Sequence, residues 1–375
     1  MIAQYLPKLV KKGGSMPLYV TFFVTNRCNL KCEHCFYSAE LNKPTQELTL
    51  EEIEKMAKSM DQFPVMLYSG GEPFLRKDLA EITHAFYKYN KINYLSIPTN
   101  GTFLKNTEEI VTKMCELCPK LTIVIDFSID GLQEEHNRIR GSPQSYQNAI
   151  RTFHVIKGYK QKYKNLRVGF VTTFTATNQD TINEVYDNLK AQNPDNISIN
   201  LIRGVPKNPL VKNIDISKYK AVTKRVQEDL MQVNLPGFDP FLASMASYRY
   251  DMVTKTYEEN KFQTTCYSSQ ISCVIYPNGD VFPCEILDET KKIGNIRDFQ
   301  MNFRELWNSP RNKELAQWIV GTKCFCTHEC NIAANMAFNP KHFTKIAMRA
   351  AVLSTKKVFN AAEEQQETIS LPVQS

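Results

Sequence analysis

Runs of β-branched and aromatic residues alternate with segments of helical periodicity through the first two thirds of the chain. Leu18–Thr25 (LYVTFFVT) reads as a strand. Leu50–Met60 carries apolar residues at helical spacing behind Thr49, with Glu52 three residues on, the pattern of a capping box. Strands at Val65–Ser69, Tyr94–Pro98, Leu121–Ile129, Leu166–Phe174 and Ile197–Ile202 follow. Helices at Asp78–Asn90, Thr107–Leu117, Tyr146–Lys162 and Thr181–Gln192 separate them. Parallel neighbours need long crossovers, so strands spaced by helices predict a parallel α/β sheet.

Ligands of parallel α/β folds sit at the C-terminal ends of the strands. The unusual loops of this chain fall there. The first strand runs into TNRCNLKCEHCFY, which sets Cys28, Cys32 and Cys35 at C-x3-C-x2-C spacing. The second ends in Ser69-Gly70-Gly71-Glu72-Pro73, the third in Thr99-Asn100-Gly101 and the fourth in Ser128-Ile129-Asp130-Gly131. Three thiolates leave one coordination place open, the mark of a centre that does chemistry. A zinc site completed by His34 is the alternative, and it explains none of the other loops.

Composition narrows the setting. With 375 residues, 42% hydrophobic and 23% charged, the chain is that of a soluble globular protein. Residues 1–14 lack a signal-peptide pattern, and no apolar run of about 18 residues occurs. The 11 cysteines are therefore expected in a reducing, cytoplasmic setting, where clusters indicate metal rather than disulfides. A net charge of +7 allows an acidic partner without requiring one, and no nucleic-acid partner is expected. Cys115 and Cys118 also stand at C-x2-C spacing, but late in a helix and away from the loop edge, which suits core or surface thiols.

The last third carries a second set of thiols. After a helical connector (Ile216–Gln232 and Phe241–Tyr257) come Cys266, Cys273, Cys284, Cys324, Cys326 and Cys330. Asn278-Gly279 marks a tight hairpin just before Cys284. Six cysteines in this loop-rich context read as cluster ligands.

The cysteine loop followed by GGEP, TNG and SIDG resembles the radical S-adenosylmethionine (SAM) enzymes over roughly residues 17–205. The resemblance implies a partial (β/α)6 TIM-like barrel and a [4Fe–4S] cluster on Cys28, Cys32 and Cys35. The amino and carboxylate groups of SAM would chelate the fourth iron. Reductive cleavage would then give a 5′-deoxyadenosyl radical that abstracts hydrogen from a substrate. On this reading Gly70 and Gly71 let backbone approach the ligand, and Glu72 with the Gly71–Pro73 edge accepts from the SAM ammonium. Thr99, Asn100, Ser128 and Asp130 suit ribose hydroxyls, and Arg140 the methionine carboxylate. His34 replaces the aromatic residue often found before the third cysteine, and keeps a ring for adenine.

The C-terminal part resembles SPASM/twitch extensions, through C-x12-G-x4-C at Cys266–Cys284, IGNIRD, ELWNSP and C-x3-C at Cys326–Cys330. It implies a small α+β domain. Six thiols rather than the usual seven favour one auxiliary [4Fe–4S] cluster. Cys266, Cys284 and Cys330 are its firmest ligands, and the fourth is Cys273, Cys324 or Cys326. The expected domains are a basic N-terminal segment (1–16), the radical SAM core (17–205), the helical connector (206–262), the auxiliary domain (263–335) and a basic amphipathic helix with a polar, disordered tail (336–375).

An external one-electron reductant of flavodoxin or ferredoxin type is the implied partner. The substrate is unknown. A leader-binding domain of the kind peptide-modifying relatives carry has no counterpart ahead of the first strand, which favours a small-molecule, sugar or lipid-linked substrate. A peptide- or protein-modifying enzyme, of the sulfatase-maturase or peptide-crosslinking type, is the alternative. A non-catalytic iron–sulfur carrier or sensor is the reading outside enzymes. No general acid or base is assigned, although His136, Arg203 and Tyr68 fall near the barrel mouth. Residues 2–12 and 341–357 are basic and amphipathic, which suits packing on the barrel or peripheral contact with an anionic membrane face.

Overall fold

The structure, a computed structural model, describes residues 16–232 and 239–369, with the side chains of 357–369 left out. The N-terminal basic segment through Ser15 and residues 370–375 lie outside the described residues. In chain order the strands are β1 (Tyr19–Thr25), β2 (Val65–Gly70), β3 (Tyr94–Thr99), β4 (Thr122–Ser128), β5 (Leu166–Phe174), β6 (Ile197–Leu201), β7 (Ser272–Ile275), β8 (Asp280–Phe282) and β9 (Gly294–Asn295). The helices are α1 (Leu50–Ser59), α2 (Leu79–Asn90), α3 (Leu104–Leu117), α4 (Gln133–Arg140), α5 (Ser145–Gly158), α6 (Ile182–Ala191), α7 (Ile216–Leu230), α8 (Pro240–Glu259), α9 (Phe303–Trp307), α10 (Pro310–Gly321), α11 (Glu329–Phe338) and α12 (Pro340–Ile369).

The chain forms two compact units: Met1–Asp215 with Tyr267–Cys324, and Ile216–Cys266 with Phe325–Ser375. In the first unit each of β1 to β5 pairs in parallel with the strand that follows it, and helices intervene. This is the strand order of a partial (β/α)6 barrel, as the sequence predicts. The expected capping box starts α1: Glu52 N–H donates to Thr49 Oγ1 at 3.2 Å and Thr49 N–H to Glu52 Oε2 at 2.8 Å. The same Glu52 pairs with Arg297 of the IGNIRD segment at 2.7 Å, which fastens that segment to α1.

Strand alternation sorts the side chains of β4 by face. Ile123, Ile125 and Phe127 are fully buried in the core that includes Met114 and Phe153 of the outer helices. Asp126 and Ser128, on the opposite, concave face, remain partly accessible. The concave positions Ser96 of β3 and Val171 and Thr173 of β5 do likewise.

The auxiliary hairpin is not a separate sheet. β7 pairs in parallel with β1, and β8 and β9 extend the same sheet antiparallel, giving the order β6-β5-β4-β3-β2-β1-β7-β8-β9. The compact units thus divide the chain otherwise than the expected domain limits.

The second unit is helical, built from α7, α8, α11 and α12. The apolar stripe of residues 341–357 packs within it. Ile346, Ala350 and Leu353 are buried, Phe343 meets Phe241 of α8 at 5.7 Å, and His342 Nδ1 bonds Tyr248 Oη at 3.0 Å. The stripe that suggested a membrane face is thereby covered, while Met348 and Val352 stay exposed. α12 runs on to Ile369, so residues 363–369 are helical where a disordered tail was expected. Ala, Glu and Gln are good helix formers, and they carry the helix onward. Among the described residues no helix is long and apolar enough to cross a membrane.

Candidate active site

The cysteine loop is held at the end of β1 by its neighbours' backbones. Gly71 N–H donates to Thr25 O and Glu72 N–H to Arg27 O, both at 2.8 Å, so the β1–β2 ladder continues into the loop. A Cβ on Gly71 would lie 2.0 Å from Arg27 O. One on Gly70, whose φ is +119°, would lie 2.3 Å from Thr25 O. Glycine at these two positions admits the cysteine loop's own backbone. Gly71→Ala is therefore expected to cost ~2–4 kcal/mol, read as a lowered denaturation midpoint, with a matching loss of bound iron.

Glu72 is buried and turned inward. Its Oε1 accepts from Thr99 Oγ1 at 2.8 Å and from Phe74 N–H at 3.2 Å, and Oε2 accepts from Asn100 N–H at 2.8 Å. Burial raises its pKa, opposed by these hydrogen bonds. Pro73 opens the 3-10 turn beneath it. Asn100 passes the link on: its Nδ2 donates to Asn29 Oδ1 at 2.9 Å, and Asn29 Nδ2 donates to Thr102 Oγ1 at 2.9 Å. Glu72, Thr99 and Asn100 thus strap the ends of β2 and β3 to the cysteine loop. Their side chains are engaged with one another and with the loop.

A second strap comes from α4, a helix that the sequence reading missed. Its last carbonyls accept from the loop: Lys31 N–H bonds Arg140 O at 3.4 Å, and Glu33 N–H bonds Ile139 O at 3.1 Å. Free carbonyls at a helix end need donors, and the loop supplies them. Arg140 Nε and Nη2 bond Asp130 Oδ2 at 2.7 and 2.6 Å, and Nη1 lies 3.8 Å from Cys32 Sγ. Asp130 also accepts from Thr173 N–H at 2.9 Å, and His34 Nε2 stands 3.6 Å from its Oδ2. Arg140 and Asp130 therefore serve each other and the cysteine loop, and His34 faces Asp130. Ser128 stays half-buried at the same edge.

The remaining mouth residues are structural. Burial, reinforced by the charge of Arg140, lowers His136 to about 3, and its neutral Nδ1 accepts from Asp130 N–H at 3.1 Å. Tyr68 Oη bonds Thr83 Oγ1 in the core at 3.0 Å. Arg203 pairs with Glu285 at 2.8 Å. Two further holders of the loop carried only a weak sequence signal. Asn26 Nδ2 donates to Lys43 O and Thr45 Oγ1, each at 2.8 Å. Asn42, at a φ of 60°, exchanges two bonds of 3.0 Å with the Cys28 backbone.

Cys32 is buried, and Cys28 and Cys35 are half-buried. Burial pushes Cys28 up to about 12 and Cys35 to about 11, with the neighbouring thiols adding to both. Thiolates in this place need a cation to hold them. A donor set of three thiols on one loop, beside the guanidinium of Arg140, fits an iron–sulfur cluster. Among the described residues no three His, Cys, Asp or Glu groups converge as on a single metal ion. Ligands spread around a four-iron cube have no need to converge in that way.

Downstream, Cys284 follows β8 and its Sγ accepts from Ile286 N–H at 3.4 Å. Cys273 lies on β7 beside Val20 of β1, inside the apolar core, and burial alone raises its pKa. No other thiol bears on it. It is a packing residue, contrary to its place among the candidate ligands. Cys115 and Cys118 pack in the core.

Residues 22–189 match the family model of the radical SAM superfamily, and residues 266–331 that of an iron–sulfur cluster-binding domain, SPASM. The chain is 32% identical over 175 residues to Fe-coproporphyrin III synthase of Methanosarcina barkeri, covering 46% of this chain and 41% of that protein. It is 24% identical over 305 residues to AlbA, the antilisterial bacteriocin subtilosin biosynthesis protein of Bacillus subtilis, covering 80% and 62%. The chain thus spans less than two thirds of either relative. Streptococcus suis SuiB bound to S-adenosylmethionine has the same fold, with a TM-score of 0.58 at 17% identity, over 84% of this chain and 71% of SuiB.

Proposed function

Because this chain belongs to the radical SAM superfamily and carries a C-terminal SPASM iron–sulfur domain, we propose that it cleaves SAM reductively and abstracts hydrogen from an organic substrate. A [4Fe–4S] cluster on Cys28, Cys32 and Cys35 would supply the electron that splits SAM into methionine and a 5′-deoxyadenosyl radical. The chain's own residues hold that place in readiness. Glu72 and Asn100 fix the loop from one side and α4 from the other, while Arg140 sets a positive charge beside Cys32. This convergence of three strand-end loops on the cysteines is the observation that carries the reading. The electron donor is a one-electron carrier of flavodoxin or ferredoxin type. Formation of 5′-deoxyadenosine by the reconstituted, reduced protein is the test.

The SPASM segment would hold an auxiliary cluster that takes up an electron from the substrate radical or binds substrate. Its ligands are sought among the cysteines of that segment, Cys284 after β8 first, with Cys273 set aside by its place in the core. Iron analysis checks this. Cys284→Ala is expected to lower the content from about eight irons per chain to about four, whereas Cys273→Ala keeps about eight. Equal losses in both variants would contradict the assignment.

The substrate class is open between two readings. A small molecule is supported by the likeness to a porphyrin synthase, and a peptide by the likeness to a bacteriocin biosynthesis protein.

A further inference from the structure

A lone carboxylate stands on the concave face of the barrel. Asp126 lies on β4, one side-chain layer below Ser128, and opposite the core residues Ile125 and Phe127. The register sets it beside Pro98 of β3 and Gly169 of β5. Its partners are neutral donors: Ser96 Oγ at 2.8 Å to Oδ2, and Asn196 Nδ2 at 2.9 Å to Oδ1. No cation among the described residues pairs with it. Arg167, one layer lower, directs its Nη1 to the carbonyls of Lys164 and Leu166, both at 2.8 Å.

The arrangement is built rather than incidental. A Cβ on Gly169 would lie 2.2 Å from Asn196 Oδ1, so only glycine there lets the Asn196 amide reach across to Asp126. The concave face is also hollow. In a filled parallel barrel the inward side chains pack one another in layers. Here Asp126, Ser128, Thr173 and Ser198 keep partial solvent access, while the alternate residues Ile125, Phe127, Thr172 and Ile199 have none. A carboxylate at the floor of an accessible polar hollow, with neutral neighbours only, lacks a counter-charge.

We propose that Asp126 is a substrate-binding residue and that the hollow takes a substrate part carrying a cationic group, an ammonium or an amidinium, which pairs with this carboxylate. The proposal rests on the hydrogen-abstraction reading above and deepens it by naming the charge of the substrate. Ser96 and Asn196 hold the carboxylate oriented, and the hydroxyl-rich wall leaves room for neutral hydrogen-bonding groups around the cation. A polycarboxylate would meet charge of the wrong sign at this depth. Burial raises the Asp126 pKa, so the empty site is costly in its charged form and a bound cation relieves that cost.

Saturation-transfer NMR tests this with the full-length, cluster-loaded protein, kept oxidised and saturated with SAM. Three probes of one size are compared: n-butylammonium, butyramide and butyrate. Transfer to butylammonium is expected to exceed that to butyrate by about tenfold, as opposite charges across a partly screened gap would give. Asp126→Asn, equal in shape, is expected to erase the difference. Equal transfer to all three probes by the unsubstituted protein would overturn the proposal without any variant. So would an Asp126→Asn protein that melts lower yet keeps the preference, since that marks a purely structural carboxylate. The readout is binding, so a preference for butylammonium in a protein unable to cleave SAM would support the hollow while rejecting the proposed function.

Discussion

Cys32→Ala is expected to remove about four irons per chain and to lower SAM cleavage by at least about a thousandfold. Cys32 is the buried member of the three loop thiols, and Arg140 lies 3.8 Å from its sulfur. Alanine removes one of the three thiols the loop supplies, and the carboxylates Glu72 and Asp130 at this edge are already engaged. Glu72 accepts three hydrogen bonds, Asp130 is paired with Arg140, and His34 faces Asp130. Iron and sulfide analysis with EPR of the reduced protein checks the result. Cys118→Ala is the control: it removes a core thiol and should leave the iron content unchanged while lowering stability. A Cys32→Ala protein that retained all its iron would place the cluster elsewhere.

Arg140→Met is expected to destabilise the protein by ~3–5 kcal/mol. The guanidinium and the Asp130 carboxylate are both buried, and removing one partner leaves the other as an uncompensated charge. Burial by itself would raise the Asp130 carboxyl, but the charge of Arg140, with the hydrogen bond from Thr173 N–H, outweighs it and holds the group below the ordinary carboxylate range. A depressed folded value contributes stability above the unfolded value of about 4 and loses it as pH falls through the folded value. In Arg140→Met the same carboxyl keeps its burial and loses its cation, so its folded value rises. The gap between the two proteins should therefore be smallest in acid and widen as pH climbs from about 4 toward 7. Denaturation midpoints across that range measure it. Arg140→Met with Asp130→Leu should recover part of the loss, because both charges are then gone. A pH-independent difference would show that packing of the arginine, and not its charge, is what the site needs.

Much of the barrel was legible in the chain, because each strand is a short β-branched or aromatic run and each helix carries a capping or periodicity signal. The short helix α4 was not. Gln133–Arg140 is polar and only two turns long, so its periodicity is weak, yet it delivers Arg140 to Cys32. The motifs place the loops on one edge of the sheet, while the hydrogen bonds that join Glu72, Thr99 and Asn100 come only from the structure. A motif shows which residues gather, not whether Glu72 looks toward a ligand or back to Asn100. Cys273 is set aside on the structure alone, for a related reason. All of β7 is buried, so neither alternation nor exposure separates a core thiol from a ligand within a run of cysteines. The parallel pairing of β7 with β1 spans some 250 residues of sequence, and local pattern holds no trace of it. Asp126 did leave a sign, a single charge inside the apolar run TIVIDFS, which buried strands rarely carry without purpose.

The most direct test of the central claim is product analysis after anaerobic reconstitution, with dithionite and SAM supplied. Methionine and 5′-deoxyadenosine should appear in equal amounts from the unsubstituted protein and be absent from Cys32→Ala. Full iron loading without any 5′-deoxyadenosine, in the presence of a candidate substrate such as an amine-bearing peptide, would contradict it.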